Sequence, residues 1–315
     1  MKKGTLSLLI PVFNHETYLP ELFRSIDVQS RKPEEILISD DGSQDESGSL
    51  VTAWAEGKAN TRVFRQKKNI GITENSNFLL GKATGDYALT LHSDDCLGKA
   101  DALETMTESM DCNADIAMVT APRRMINERS EKIRDDGKLS SGEYRRSEIL
   151  REVLLTEANP VGEPSAVMFR QRSLPAGFDA SYRQLWDLKA WLEILKSGNL
   201  AVLSRPLVWI REHARQTTKA NARAGRGIGE HVELFLDLFR EAEKVVTPRE
   251  ASVLLYKLQR TANRYPKFIS SKTRSSLVRE RQRIGLLAYI WNLSVYRFKK
   301  IGAKCLQSFE RRTIR

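Results

Sequence analysis

The chain has 315 residues, of which 41% are hydrophobic and 29% charged, proportions that exclude a disordered, collagen-like or repeat-built polypeptide and allow one large domain with an appendage. Its formal net charge of +11 is carried entirely by the last fifth: from Arg249 onward there are 17 Lys and Arg against Glu250, Glu280 and Glu310, a local net of +14, and the rest is mildly acidic at −3. Such a block favours a phosphate-bearing partner, either nucleic acid or an anionic membrane surface.

Leu6-Ser7-Leu8-Leu9-Ile10-Pro11-Val12 is an apolar run of strand length. Lys2-Lys3 ahead of it imitates a signal peptide, but Pro11, Asn14 and His15 interrupt the run and no small-residue cleavage site follows, so it reads as a strand. A helix is expected over 18–29, with Leu19, Leu22, Phe23 and Ile26 at helical spacing. Residues 35–39 form a second buried strand ending in Asp40-Asp41-Gly42-Ser43, which combines turn and helix-capping chemistry, and a helix over 46–56 should follow. Residues 63–66 read as a third strand, 75–83 as a helix, and 87–91 as a fourth strand running into His92-Ser93-Asp94-Asp95. The alternation predicts an α/β fold, a mostly parallel sheet flanked by helices, with ligands at the carboxyl ends of its strands. Both acidic clusters fall there, on strands expected to be neighbours.

Further along, 102–110 reads as helix, 116–119 as strand, and 123–143, polar and without period, as a loop or mobile flap. Residues 165–169 resume the strand pattern, 186–197 form an amphipathic helix, and 200–209 hold two short strands broken by Pro206. Residues 219–229 read as a linker and 230–315 as helix with breaks near Pro248 and Pro266. The expected organisation is a domain over 1–218 and a basic helical region over 219–315. In the latter, Ile284, Leu287, Ala288, Trp291, Val295 and Phe298 recur at helical intervals among basic residues. That pattern suits a helix lying on an anionic membrane or one packed on the preceding domain. The longest apolar stretch, 284–296, includes Asn292 and falls short of the ~18 residues of a membrane span. Cys96, Cys112 and Cys305 have neither disulfide-framework nor zinc spacing, which fits a reducing cytoplasm.

A carboxylate after one strand can accept hydrogen bonds from a base or ribose, and another can hold a divalent cation that neutralises a diphosphate. Either acid pair taken alone is equally a solvated turn or helix cap. The ordered series is more specific. Pro11-Val12-Phe13-Asn14, Ser39-Asp40-Asp41-Gly42-Ser43, Asn69-Ile70-Gly71 with Asn77, and Gly85-Asp86-Tyr87 leading into 91–95 resemble the amino-terminal half of family 2 glycosyltransferases. The likeness continues through Gly177-Phe178-Asp179, Asp187 with Trp191 and Leu192, Gly198, Pro206-Leu207 and Arg211-Glu212-His213, covering about residues 5–218.

The resemblance implies a GT-A nucleotide-sugar fold. It puts Pro11, Phe13, Asn14 and Asp41 at the donor's nucleobase, with Asp40 shaping the same loop, and favours a uracil nucleotide. Asp94, in the third position of the family's D-x-D pattern, would hold Mn²⁺ or Mg²⁺, with Ser93, Asp95 and Asn77 on the donor and His213 completing the metal site or touching the phosphates. Arg211 or Arg215 would stabilise the leaving diphosphate, Asp187 would be the general base, and Glu163 and Trp186 would meet the acceptor. His92 stands at the first aspartate position, either as a softer ligand that shifts preference from Mg²⁺ toward Mn²⁺ or as a residue packed beside the site. Ser76 stands where relatives often carry arginine, and His15 is expected at the edge of the nucleotide pocket. The implied activity is an inverting, metal-dependent transfer from a nucleotide-diphosphate sugar to a glycan or lipid-linked acceptor, in the cytoplasm or on the inner face of the membrane, for bacterial surface polysaccharide. Two other readings are a nucleic-acid-binding protein using the basic helices, which leaves the strand-end motifs without a purpose, and a catalytically silent GT-A scaffold.

Overall fold

A computed structural model of the protein describes residues 3–284 apart from 217, 220, 222–224 and 243–244; most of the expected amphipathic basic helix, and Cys305, lie outside the described residues. The chain forms two compact units, one of residues 1–149 with 159–221, the other of 150–158 with the chain from 222 onward.

The first unit contains strands β1 (Leu6–Val12), β2 (Glu35–Asp40), β3 (Thr61–Arg65), β4 (Tyr87–Thr90), β5 (Cys96–Leu97), β6 (Ile116–Thr120), β7 (Arg123–Ile126), β8 (Lys132–Asp136), β9 (Gly142–Tyr144), β10 (Val167–Arg170), β11 (Asn199–Val202) and β12 (Val208–Arg211). Its helices are α1 (Leu19–Asp27), α2 (Ser47–Ala55), α3 (Ile72–Leu80), α4 (Ala102–Cys112) and α6 (Trp186–Ile194), while α5 (Arg146–Thr156) runs across the division between the units. Eight strands form one sheet in the order β3-β2-β1-β4-β10-β6-β11-β9. The first four are mutually parallel, and β10 is antiparallel to both its neighbours. All seven residues of β1 are buried, which is why its sequence is a nearly unbroken apolar run: a central parallel strand is covered on both faces. A second sheet has the order β5-β12-β7-β8.

Three expectations change. The strands that end in the acidic clusters, β2 and β4, are not neighbours; β1 lies between them, so residues 13–15 emerge between the two clusters. Residues 123–143 are not a loop: β7 and β8 form an antiparallel pair and β9 closes the edge of the large sheet. β8 and β9 carry mostly exposed polar side chains, with every residue of β8 at least partly exposed, and β7 is a short strand whose buried residues include Arg123, so no apolar alternation marks them. Helix α5 was also unmarked, although Ile149, Leu150, Val153 and Leu154 are buried along it.

The second unit is helical, with α7 (Arg226–Glu241), α8 (Pro248–Arg264) and α9 (Ser271–Ile284). Thr247 and Glu250 form a reciprocal capping box ahead of α8, with Pro248 at its first position. Among the described residues no helix is long and apolar enough to cross a membrane.

The Gly85-Asp86-Tyr87 motif joins the start of β4 to the start of β1. Asp86 Oδ2 accepts from the Thr5 amide at 2.9 Å and the Thr5 hydroxyl at 3.0 Å, and the Tyr87 hydroxyl donates to Asp111 at 2.7 Å. A Cβ on Gly85 would lie 2.6 Å from Ser7 Oγ and 2.7 Å from Ser7 N, closer than packed atoms approach. Gly85→Ala therefore must push β4 from β1 and should destabilise the fold by about 1–3 kcal/mol. Thermal unfolding of the purified variant checks this; melting at the parent's temperature would contradict it.

Candidate active site

The site is assembled from the turns that follow β1, β2, β4 and β12 and from the start of α6. After β1, Asn14 adopts a left-handed φ of +52°. Its amide donates to Ser43 Oγ at 3.0 Å and its Oδ1 accepts from Gln44 N at 2.8 Å, locking the first turn to the second. Asp40 Oδ1 accepts from Ser43 N at 2.9 Å. Asp41 accepts from the amides of Ile70 and Gly71 at 2.8 and 2.9 Å, one on each oxygen. Burial, and then the charge of Asp40, raise the Asp41 carboxyl above its ordinary range, against the pull of those two amides. Phe13 is 40% exposed at the rim. Pro11 is buried within β1 in register with Ser39, so it backs the turn and does not line an open surface.

After β4, residues 92–95 make the centre. Asp95 accepts from Ser165 Oγ at 2.6 Å and from the Arg211 amide at 2.9 Å, and burial and the charge of Asp94 raise its carboxyl well above the usual range. The same Ser165 hydroxyl oxygen accepts from His92 N at 3.0 Å. Asp94 Oδ2 lies 2.9 Å from His213 Nε2. Burial acts to raise the Asp94 carboxyl, but the His213 hydrogen bond and the nearby imidazoles of His15, His92 and His213 outweigh it and hold it at about 2. Burial also lowers His15 and His92 below the ordinary imidazole value, against the opposing charge of Asp94. Both rings are therefore neutral at pH 7 and can offer a lone pair.

Ligand atoms of His15, Asp94 and His213 all lie within 4.8 Å of one another, as do those of His92, Asp94 and Asp95. His213 Nδ1 and His92 Nε2 are buried without a hydrogen-bond partner. A carboxylate beside imidazoles with unsatisfied nitrogens fits a divalent ion of the Mn²⁺ type better than Mg²⁺, which prefers oxygen ligands.

Asp187 lies in the first turn of α6. Its Oδ1 accepts from Leu188 N at 2.7 Å and its Oδ2 from Asn159 Nδ2 at 3.0 Å. Asn159 is itself fixed, since its Oδ1 accepts from the amides of Val161 and Gly162, each at 3.1 Å. Burial, and secondarily the charge of Glu163, push the Asp187 carboxyl up to about 7. The preceding Trp186 is buried, edge-on to Phe178 with ring centroids 4.7 Å apart and 6.2 Å from the His92 ring. It is a buried wall joining α6 to the Asp94 turn, so most of the ring that was expected to meet the acceptor is taken up by packing. Glu163 is paired with Arg123 at 3.0 Å.

Two other residues are placed differently from expectation. Asn77 uses both ends of its amide on the Phe178 backbone, at 2.8 and 2.7 Å, and so ties α3 to the segment before α6 instead of presenting that amide to a donor. The Arg211 guanidinium is only 1% exposed, with its contacts directed inward: Nε to the Asp94 carbonyl at 2.9 Å, Nη1 to the Asn127 carbonyl and Ser130 Oγ at 2.9 and 3.0 Å, and Nη2 to Glu21 at 2.6 Å. It braces the site, whereas Arg215, the other arginine expected at the diphosphate, is exposed. Ser76, noted as a departure from the family pattern, is 0% exposed. Sequence reasoning missed Asn159, whose only signal is the Asn159-Pro160 turn dipeptide, and read Ser165 only as part of a Glu163-Pro164-Ser165 acceptor segment, whereas its hydroxyl bridges Asp95 and His92.

The profile described as Glycosyl transferase family 2 matches residues 7–178. An uncharacterized protein of Mycobacterium tuberculosis is 29% identical over 238 residues, 70% of this chain and 71% of that one. The abequosyltransferase RfbV of Salmonella typhimurium is 28% identical over 192 residues, 56% of each chain. Among solved structures, S. aureus TarS 1–349 in complex with UDP-GlcNAc matches with a TM-score of 0.61 at 17% identity, covering 94% of this chain and 92% of that one. The mannosyltransferase PcManGT from Pyrobaculum calidifontis, in complex with GDP-Man and Mn²⁺, matches at 0.55 and 15%, covering 94% and 87%. At those identities the structures share the fold. The family profile spans more than half of the chain and includes both acidic turns, so the protein belongs to glycosyltransferase family 2 and is a transferase with the GT-A fold.

Proposed function

We propose that this glycosyltransferase performs an inverting transfer from a UDP-sugar to a hydroxyl of a glycan or lipid-linked acceptor, in the assembly of a bacterial surface polysaccharide. The observation that carries the reading is the pairing of two unlike carboxylates across one wall: Asp94, held ionised among imidazoles, and Asp187, tuned near neutrality at the start of α6, with His92 and Trp186 between their segments. Environments that drive two acids apart in this way divide the work between them.

In the transfer, the acceptor oxygen forms a bond to the anomeric carbon while the bond from that carbon to the diphosphate breaks and UDP departs with the electron pair. Asp187 takes the acceptor's proton, a task suited to a group whose pKa lies near the working pH. Asn159 and the Leu188 amide orient its carboxylate. Asp94, with the imidazoles beside it, would hold a divalent cation, which supplies charge neutralisation for the departing diphosphate. Arg215 adds a second cation there. Asp41 keeps lone pairs beyond those taken by Ile70 and Gly71, enough to accept from the imide N–H of uracil. The relatives support sugar transfer, one being an abequosyltransferase, and the TarS neighbour carries UDP-GlcNAc. The polysaccharide reading also gives the +14 terminal segment a counterpart, an anionic membrane bearing the lipid-linked acceptor.

Asp187→Asn should lower turnover by about 10²–10⁴-fold while leaving UDP affinity within about two-fold of the parent, because the variant removes a base without touching the donor turns; full activity would refute the role. The base acts only when ionised, so kcat/KM of the parent should climb with pH and level off above about 7, and a flat profile between pH 5.5 and 8.5 would count against it. Stability carries the opposite sign. A carboxyl raised on folding stabilises the native state at low pH, and that contribution is lost as pH rises through the folded value of about 7; Asp187→Asn should thus melt no lower than the parent at pH 8.

Calorimetric titration with UDP, with and without Mn²⁺, tests the donor side. Metal-dependent UDP binding that disappears in Asp94→Asn is expected. Binding of GDP, CMP or TDP in preference to UDP would overturn the choice of base.

A further inference from the structure

His15, Asp94 and His213 arrive from three separate segments, the turns after β1, β4 and β12. The sheet order explains the meeting, since β1 pairs with β4 and β12 pairs with β5 just beyond Asp94. His15 is held twice: its amide donates to Ser47 Oγ at 2.9 Å, and its Nδ1 lies 2.7 Å from Ser93 Oγ. That second contact leaves Nε2 as the nitrogen available to an ion. The His15 and His213 rings stand edge to face with centroids 5.7 Å apart. His213 is 2% exposed, its Nε2 is 2.9 Å from Asp94 Oδ2, and its Nδ1 has no hydrogen-bond partner. The rival trio of His92, Asp94 and Asp95 is weaker, because the buried Asp95 carboxylate is already aimed at Ser165 and the Arg211 amide, one on each oxygen, and would have to share those lone-pair faces with an ion.

We propose that His15 is the third protein ligand of the cation site, completing a two-histidine, one-carboxylate set with His213 and Asp94, and that this chain therefore binds a transition-metal ion before the nucleotide arrives. The inference rests on reading the Asp94 turn as the donor-cation site and adds to it a ligand from β1 and an order of binding. A site with a single carboxylate depends on the donor's phosphate oxygens to retain a hard ion. Two imidazoles and a carboxylate can retain a borderline ion unaided, with Zn²⁺ above Mn²⁺ in affinity and Mg²⁺ poorly held. Ser93 then orients a metal-binding ring, as hydrogen bonds to the far nitrogen of ligating histidines do.

The test is titration of the metal-free, nucleotide-free full chain with Mn²⁺, followed by loss of the free-ion electron paramagnetic resonance signal. One equivalent should bind without UDP, displaced by Zn²⁺ and not by an equal concentration of Mg²⁺. His15→Ala should weaken binding by at least about 10–100-fold and Ser93→Ala by about 10-fold, with unchanged melting curves showing that the fold is retained. Ser93→Ala serves as the probe should His15→Ala fail to fold. Unaltered Mn²⁺ affinity in these variants, a larger loss in His92→Ala than in His15→Ala, or uptake of Mn²⁺ only alongside UDP would each overturn the proposal while leaving the donor-cation reading intact. No uptake by the parent even with UDP present would overturn both.

Discussion

The buried guanidinium of Arg211 is the constraint on which the site depends. A cation taken out of water must be compensated by acceptors around its whole fork, and removing any one of them leaves a charge that the interior cannot solvate. Here the acceptors come from α1 through Glu21, from the β7–β8 turn through Asn127 and Ser130, and from the turn after β4 through the Asp94 carbonyl, while the Tyr18 ring lies 4.8 Å from the guanidinium carbon. The backbone of the same residue donates to Asp95. One side chain and one amide thus fix the acidic turn relative to the two sheets, and His213, two residues on, is delivered to Asp94 by the same strand.

Around that brace, polarity is distributed so that chemically identical groups differ. Asp94 and Asp187 are both partly exposed aspartates, yet hydrogen bonding and imidazoles hold the first at about 2, and burial beside Glu163 lifts the second to about 7. The difference depends on neighbours supplied by distant segments: His213 and His15 for one, Asn159 and Glu163 for the other. The rigid wall of Trp186 and Phe178 keeps the two environments separate, and the Asn77 clamp on Phe178 keeps that wall in place.

Much of the first half of the fold was legible in the sequence, because β1, β2 and β4 are buried strands that read as apolar runs, and β2 and β4 end abruptly in acidic turns. What could not be read was lateral order. Periodicity shows that a strand exists but not which strand lies beside it, so the insertion of β1 between the two acidic clusters, and with it the approach of His15 to Asp94, had no linear signal. The β7–β8 pair was hidden for a different reason, since β8 is an exposed polar edge strand and β7 is only four residues long and half arginine, so neither shows alternation. Arg211 and Asn77 were assigned to the donor because motif position gives a residue's place along the chain and not the direction of its side chain. Both turn inward onto backbone atoms. The basic segment beyond Ile284 keeps the two readings that its sequence allows.

The replacement of the first D-x-D aspartate by His92 also finds a physical account. Asp94 and Asp95 already repel each other enough to help raise Asp95 well above the usual range. A third carboxylate at 92, in a position where burial already disfavours charge on the imidazole, would add to that repulsion and weaken the ionisation of Asp94 in the absence of a cation. A neutral imidazole relieves it and still offers a lone pair. Nitrogen thus stands in place of oxygen beside Asp94, where His92, His15 and His213 all bring a ring nitrogen close to its carboxylate.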